Sequence, residues 1–372
     1  MVVELARRSA GFRGSLPEVL MASLAKLVRA MNCYYSNLIE GHDTHPIDIE
    51  RALNQDFSKD AKKRNLQLEA AAHIEVQQWI DSGGLTQKPV TVAAIREIHR
   101  IFYEAMPADL RWVEDPRTGE RVAIVPGELR PRDVKVGNHI AVSPGAVPRF
   151  LARFEDVFSQ LGVAERVLAT AAAHHRLAWI HPFIDGNGRV GRLMAHAILL
   201  QALDTGALWS VARGLARNVD EYKSHLAYCD EPRLNDLDGR GNLSEMALVR
   251  FTEFFLRVCL DQVAFMEDLM QPDKLRTRIL TWAEELIRLG TLPQKSGTVL
   301  DVLLYRGEIP RAETSLLLGV GERQARRIVS ALADQGAVVS DSPRAPIRLA
   351  FPAKLAGRWM PGLFPDKIDP VA

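Results

Sequence analysis

The residues from His181 to Arg192, HPFIDGNGRVGR, put one imidazole (His181), one carboxylate (Asp185), two guanidiniums (Arg189 and Arg192) and three glycines close together in the chain. Such a set can take a proton, hold a divalent cation and clamp a polyphosphate. The elements that must position it can be read on either side. An alanine-rich stretch over 167–180 leads in and an apolar stretch over 193–203 leads out, and both carry apolar residues at three- and four-residue spacing, the period of a helix. The second helix starts within or just after the glycines. Backbone N–H groups there can converge on an anion, and the helix N-terminus adds partial positive charge.

Upstream, residues 1–15 are expected to be poorly ordered, and 16–41 have helical period with a break expected near Asn32. Gly41 suits the position just past a helix end. Ser36 and Glu40, four apart, share a helix face. Further helices are expected over 62–82 and, after an N-cap at Thr91, through Ile95, Ile98 and Phe102. Between 109 and 148 the helical period disappears. Pro116, Gly119, Pro126, Gly127, Pro131, Gly137, Pro144 and Gly145 punctuate β-prone pieces that suggest a small hairpin. Helices resume over 148–161, 164–180, 218–228 and 244–289. After a linker at 290–297, a helix, a short helix closed by Gly319, a helix over 322–335 and two β-prone pieces around 341–346 follow the order of a winged helix-turn-helix.

At 372 residues the chain can bury a substantial core and hold two or three domains; the expected division is 1–90, 91–290 and 291–372. A net charge of +1 gives no global attraction to nucleic acid or an anionic membrane. Cys33, Cys229 and Cys259 are far apart and without metal-ligand spacing, which fits a reducing compartment. No secretory leader or membrane span is read, so a cytoplasmic location is expected.

Three rival chemistries fit the central string less well. Gly186-Asn-Gly-Arg-Val-Gly191 matches G-x-G-x-x-G, but a helix precedes it where a dinucleotide-binding βαβ unit needs a strand. The GK[ST] of a phosphate-binding P-loop is missing. His174, His175 and His181 lack the order of a zinc site, and adjacent His174 and His175 point to different helix faces.

The full string resembles the signature of the Fic family, HPFx[DE]GNGRxxR, at every defined position. The resemblance implies a mainly α fold, a helical core with a small β-hairpin flap, to which the C-terminal winged helix is appended. It also implies transfer of AMP from ATP to a Ser, Thr or Tyr hydroxyl of a target protein and of the protein itself. In that scheme His181 is the general base and Asp185 holds Mg2+. Asn187 and the N–H groups of Gly186 and Gly188 form the anion hole, and Arg189 and Arg192 reach the β- and γ-phosphates. Pro182 and Phe183 shape the loop. A flap at 133–142 docks the target by strand addition. Ser36–Glu40–Gly41 is similar to the family's inhibitory motif S-x-x-x-E-[GN], so Glu40 would pair with Arg192 and leave ATP in a non-productive pose. Tyr222, on a helix resembling the one that closes over the base, is the residue expected beside adenine.

Two other activities fit the same residues. One is removal of AMP from a modified protein, with Glu40 orienting water. The other is a DNA-binding regulator whose Fic-like domain senses nucleotide. For the C-terminal unit, Arg323, Arg326, Arg327, Arg344 and Arg348 could meet phosphates, but Glu313, Glu322, Asp334 and Asp341 dilute that charge. Protein docking or a homodimer is therefore preferred to DNA.

Overall fold

A computed structural model describes residues 1–115, 118–137 and 139–365. Pro116, Asn138 of the expected flap and the last residues of the expected C-terminal unit lie outside the described residues.

The chain begins with helices α1 (Val2–Gly14), α2 (Glu18–Ile39), α3 (Pro46–Leu53), α4 (Ala61–Asp81) and α5 (Val92–Ala105). Two short antiparallel pairs follow, β1 (Trp112–Glu114) with β2 (Arg121–Ala123) and β3 (Lys135–Val136) with β4 (His139–Ile140). Next come α6 (Val147–Phe158), α7 (Val163–Ile180), α8 (Asn187–Leu203), α9 (Val211–Arg217), α10 (Val219–Tyr228), α11 (Glu245–Leu269) and α12 (Pro272–Arg288). The last stretch runs α13 (Ser296–Arg306), β5 (Glu308–Ile309), α14 (Thr314–Leu318), α15 (Glu322–Asp334), β6 (Val338–Val339), β7 (Ile347–Leu349) and α16 (Ala353–Trp359). Its strands form a sheet in the order β5-β7-β6. The protein is mainly α, with a small β-hairpin at the expected flap.

The N-terminus departs from expectation: residues 2–14 are an ordered helix. Leu5, Ser9 and Phe12 recur at helical spacing and are buried, and α1 packs on α11. Trp209 donates to Ser9 Oγ at 3.1 Å, and Arg13 pairs with Asp204. A lone helix of this length is marginal in water, so its order comes from surfaces remote in the chain. The break expected in α2 at Asn32 is also absent. The Asn32 amide donates to Gln77 Oε1 at 2.6 Å and accepts from the Ser210 hydroxyl. With its side chain bonded to other helices, it no longer competes with the backbone of its own.

Two apolar clusters flank the site. One joins α4, α5, α6 and one face of α7 and α8, through Leu177, Ile180, Val190 and Met194. The other joins α1, α2, α9 and α11 to the C-terminal helices, and takes Val167, Ala171, Ala195 and Leu199 from the same pair. The α7–α8 hairpin is thus buried on both sides, and the loop joining it is held by a rigid scaffold. The second cluster includes residues from Leu5 to Phe364, and Tyr35 of α2 donates to the carbonyl of Leu363 at 3.0 Å.

Candidate active site

The site is the joint between α7 and α8. His181 ends α7 in the left-handed region, φ 51° and ψ 63°, a conformation that strains a side-chain-bearing residue and survives where surrounding contacts impose it. Gly186, at φ 80°, begins α8, and a β-carbon there would press on the Tyr103 ring at 3.0 Å. The first intrahelical bond of α8 runs from Val190 N–H to the Gly186 carbonyl at 2.9 Å. The N–H groups of Asn187, Gly188 and Arg189 precede it and point out of the helix N-terminus, as an anion requires.

Asn187 does not serve this cradle with its side chain, as expected from sequence; it builds the loop. Its Oδ1 accepts from Phe183 N–H at 2.9 Å and its Nδ2 donates to the Phe183 carbonyl at 2.9 Å. Both amide ends are used, so the side chain braces the bend and its backbone faces the mouth. Phe183 is fully buried and stacks on His99, with ring centroids 3.9 Å apart.

Asp185 extends into the mouth, its side chain 44% exposed. Tyr103 donates to its Oδ2 at 2.6 Å, and Arg189 Nη1 lies 3.7 Å from the same oxygen. Burial and the adjacent carboxylate push the Tyr103 hydroxyl well above its usual range, so it remains a donor. Burial depresses the His181 imidazole to about 4, aided by the charge of Arg130. At neutral pH the ring is uncharged and can accept a proton.

Both arginines are buried and partnered. Arg192 Nε donates to Ser36 Oγ at 2.8 Å, while Nη2 donates to the Ser36 carbonyl at 3.2 Å and to Glu40 Oε1 at 2.5 Å. Ser36 and Glu40 do share the α2 face read from sequence, and Gly41 follows at φ 85°. Glu40 also reaches over the helix N-terminus: a β-carbon on Gly188 would lie 2.4 Å from its Oε1 and 3.1 Å from Arg192 Nη1. Glycine therefore leaves room for a carboxylate against the anion cradle. Burial alone would raise the Glu40 carboxyl, but Arg192 and Arg189 outweigh it and hold it low. Arg189 is paired with Glu69 of α4, whose Oε1 also accepts from His42 at 2.9 Å.

Tyr222 is displaced from its expected place beside a base. It is 3% exposed. His174 Nδ1 faces the Gly191 carbonyl at 3.1 Å and Nε2 faces the Tyr222 hydroxyl at 2.7 Å. A carbonyl only accepts, so Nδ1 carries the proton and Tyr222 donates to Nε2. The tyrosine thus packs behind α8 and offers no ring face to a nucleotide.

A family model described as Fic/DOC family matches residues 89–199. Over those residues the chain is similar to a Fic domain. The match takes in α5, the hairpin, α7 and most of α8. Protein adenylyltransferase Fic of Drosophila willistoni is 29% identical over 171 residues, covering 45% of this chain and 31% of that protein. The chain spans about a third of the length of the curated relatives it matches. A Fic family protein from Desulfovibrio desulfuricans G20 shares the fold, with a TM-score of 0.54 at 16% identity over 94% of this chain and 95% of that one. A Fic domain containing signaling protein from Bacteroides thetaiotaomicron VPI-5482 gives a TM-score of 0.51 at 21% identity, over 72% and 95%.

Seen from the matched segment, the nearest partners of Arg189 and Arg192 come from outside it, Ser36 and Glu40 on α2 and Glu69 on α4. Glu69, Tyr103, His42 and Arg130 escaped the sequence reading. Tyr103 and Glu69 lie on helices that the apolar periodicity predicts, but nothing in their local pattern singles them out.

Proposed function

We propose that the chain is a protein adenylyltransferase that moves AMP from ATP to a hydroxyl of a target protein, and that Glu40 holds it inactive. The observation that carries this reading is the Glu40 carboxylate lying against Gly188 and Arg192, where the helix N-terminus and two guanidiniums would otherwise receive phosphate. A carboxylate in an anion site is a stand-in for the anion.

In the reaction, His181 accepts the proton of the incoming Ser, Thr or Tyr hydroxyl as that oxygen bonds to the α-phosphorus. The bond from the α-phosphorus to the bridging oxygen of the β-phosphate breaks, and pyrophosphate leaves. The N–H groups at the start of α8 hold phosphate oxygens, and Arg192, once free of Glu40, holds the terminal phosphate. Positioning and charge stabilisation supply most of the rate.

A divalent cation such as Mg2+ would neutralise charge on the bound phosphates. Asp185 suits it: a half-exposed carboxylate at the mouth of the cradle is the ligand a hard cation takes together with phosphate oxygens and water. Among the described residues no group of three His, Cys, Asp or Glu forms a self-sufficient cation site, so the ion would arrive with the nucleotide.

The test is intact-mass spectrometry after incubation with ATP and Mg2+. Glu40→Gly protein should gain AMP on itself or on a protein in lysate, wild type should gain much less, and His181→Ala in the Glu40→Gly background should gain none. No adduct from Glu40→Gly with lysate present defeats the reading. Release of AMP from a modified target by wild type, lost in Glu40→Gly, would point to the reverse activity.

The elements from α13 to β7 follow the order of a winged helix, and we assign them to docking protein. Two of the five arginines that could meet phosphates are paired within the unit, Arg326 with Glu322 at 2.9 Å and Arg348 with Asp341. A gel shift of duplex DNA by the full chain at physiological salt would reverse that assignment. Among the described residues no helix is long and apolar enough to cross a membrane.

A further inference from the structure

Arg130 lies between β2 and β3 and is 2% exposed. Its guanidinium donates to backbone carbonyls at three places. Nε reaches the His181 carbonyl at 2.7 Å and Nη2 the Ile180 carbonyl at 3.5 Å, both at the end of α7. Nη1 reaches the Arg132 carbonyl at 2.8 Å, at one foot of the β3–β4 hairpin, and Nη2 also bonds the Val142 carbonyl at the other. Its backbone N–H donates to the Pro182 carbonyl at 2.9 Å. From the hairpin itself, His139 Nε2 donates to the Trp179 carbonyl at 2.8 Å. Successive carbonyls from Trp179 to Pro182 are therefore bonded to the hairpin or to the segment leading into it.

Those carbonyls end a helix, where acceptors lack intrahelical partners and a cation is favoured. The planar guanidinium spreads its donors in a fixed fork and can hold several carbonyls at set angles, which an ammonium cannot. The backbone it grips on one side is that of His181, in its left-handed turn. On the other side it grips both feet of the hairpin that, on the reading above, presents the target strand.

We propose that Arg130 is a positioning residue for AMP transfer: it clamps the hairpin to the end of α7 and so fixes the distance between the target hydroxyl and the His181 imidazole. The inference rests on the adenylyltransferase reading for its catalytic consequence, while the clamp itself can be tested without turnover. Misplacing reacting groups by about an ångström can cost on the order of a hundredfold in rate. The charged and titratable groups whose fields act on the His181 ring are Arg130, His139 and Asp185. Removing the Arg130 charge therefore raises the affinity of that ring for a proton.

The experiment compares Arg130→Lys and Arg130→Gln in the Glu40→Gly protein. Arg130→Lys keeps the charge and loses the fork. Its kcat should fall at least about tenfold with KM for ATP within about twofold, because Arg130 is assigned no phosphate contact. Amides of Lys135, Val136, His139 and Ile140 should exchange faster in both variants while those of α5 and α8 keep their protection. Arg130→Gln should in addition shift the His181 titration, followed by NMR of the ring, to higher pH. Unchanged kcat in a folded Arg130→Lys protein overturns the proposal, as does a loss accompanied by equally faster exchange in α5 and α8. If Glu40→Gly itself transfers no AMP, the adenylyltransferase reading fails, and hairpin exchange and the His181 titration decide the clamp. Both unchanged would overturn it.

Discussion

Arg192 shows how one side chain can be read in two ways. From the sequence it is a phosphate ligand; in the folded chain its donors are held by Ser36 and Glu40. The two descriptions agree if Glu40 occupies the place of the anion. His181 carries the sharper consequence. Its imidazole is depressed to about 4 because it is buried beside Arg130, so it is already unprotonated at the pH where an ordinary histidine would be half charged. Transfer by Glu40→Gly protein should consequently hold at pH 6 and fall only as pH approaches about 4 to 5. A rate profile whose acidic limb centres near 6.5 would show that the group titrating in the rate is not this ring.

At the scale of elements, the inhibitory helix is held by more than apolar contact. Asp81, at the end of α4, accepts from Arg29 of α2 at 3.0 Å and from His196 of α8 at 2.7 Å, and its side chain and that of His196 are each 7% exposed. It ties the helix bearing Glu40 to the helix bearing Arg192. Removing one member of a buried ionic group leaves the others desolvated and unpaired, at a cost of about 3–5 kcal/mol. Asp81→Ala should lose about that much in urea denaturation, and Asp81→Asn, which keeps a hydrogen-bonding group, should lose less. A change under about 1 kcal/mol would mean that this triad behaves like a surface pair.

For the whole molecule, the buried histidines set the response to acid. Burial holds His73 near 3 and His99 and His174, like His181, near 4. Each folded value lies below the unfolded value of about 6.5, so on acidification the unfolded chain takes protons first. Stability from these groups is complete above about pH 6.5 and is lost as pH falls toward 4, at up to about 1.4 kcal/mol per pH unit for each histidine. His42, raised by Glu69, acts in the opposite sense, but its side chain is 38% exposed and screened by solvent. Denaturation midpoints at pH 7, 5.5 and 4.5 should therefore fall steeply, and a flat series would contradict the burial of these rings. Because one apolar cluster includes residues from Leu5 to Phe364, the loss should appear as a single transition.

Local chemistry was legible without coordinates. The string from His181 to Arg192, the four-residue spacing of Ser36 and Glu40, the cap at Thr91 and the glycine at 41 each act through neighbours a few residues away, and sequence spacing reports such neighbours directly. Most of the helices and the hairpin followed from the same short-range signals. What the tertiary structure decided is the identity of partners. Arg130 meets His181 across 51 residues, Tyr103 meets Asp185 across 82 and Glu69 meets Arg189 across 120. Tyr222 turned inward for the same reason, since the helices packed around it supplied His174 and left no opening. The order of α1 likewise came from a surface remote in the chain. A residue's type and period set which bonds it can make; the packing of distant helices sets which of those bonds it makes.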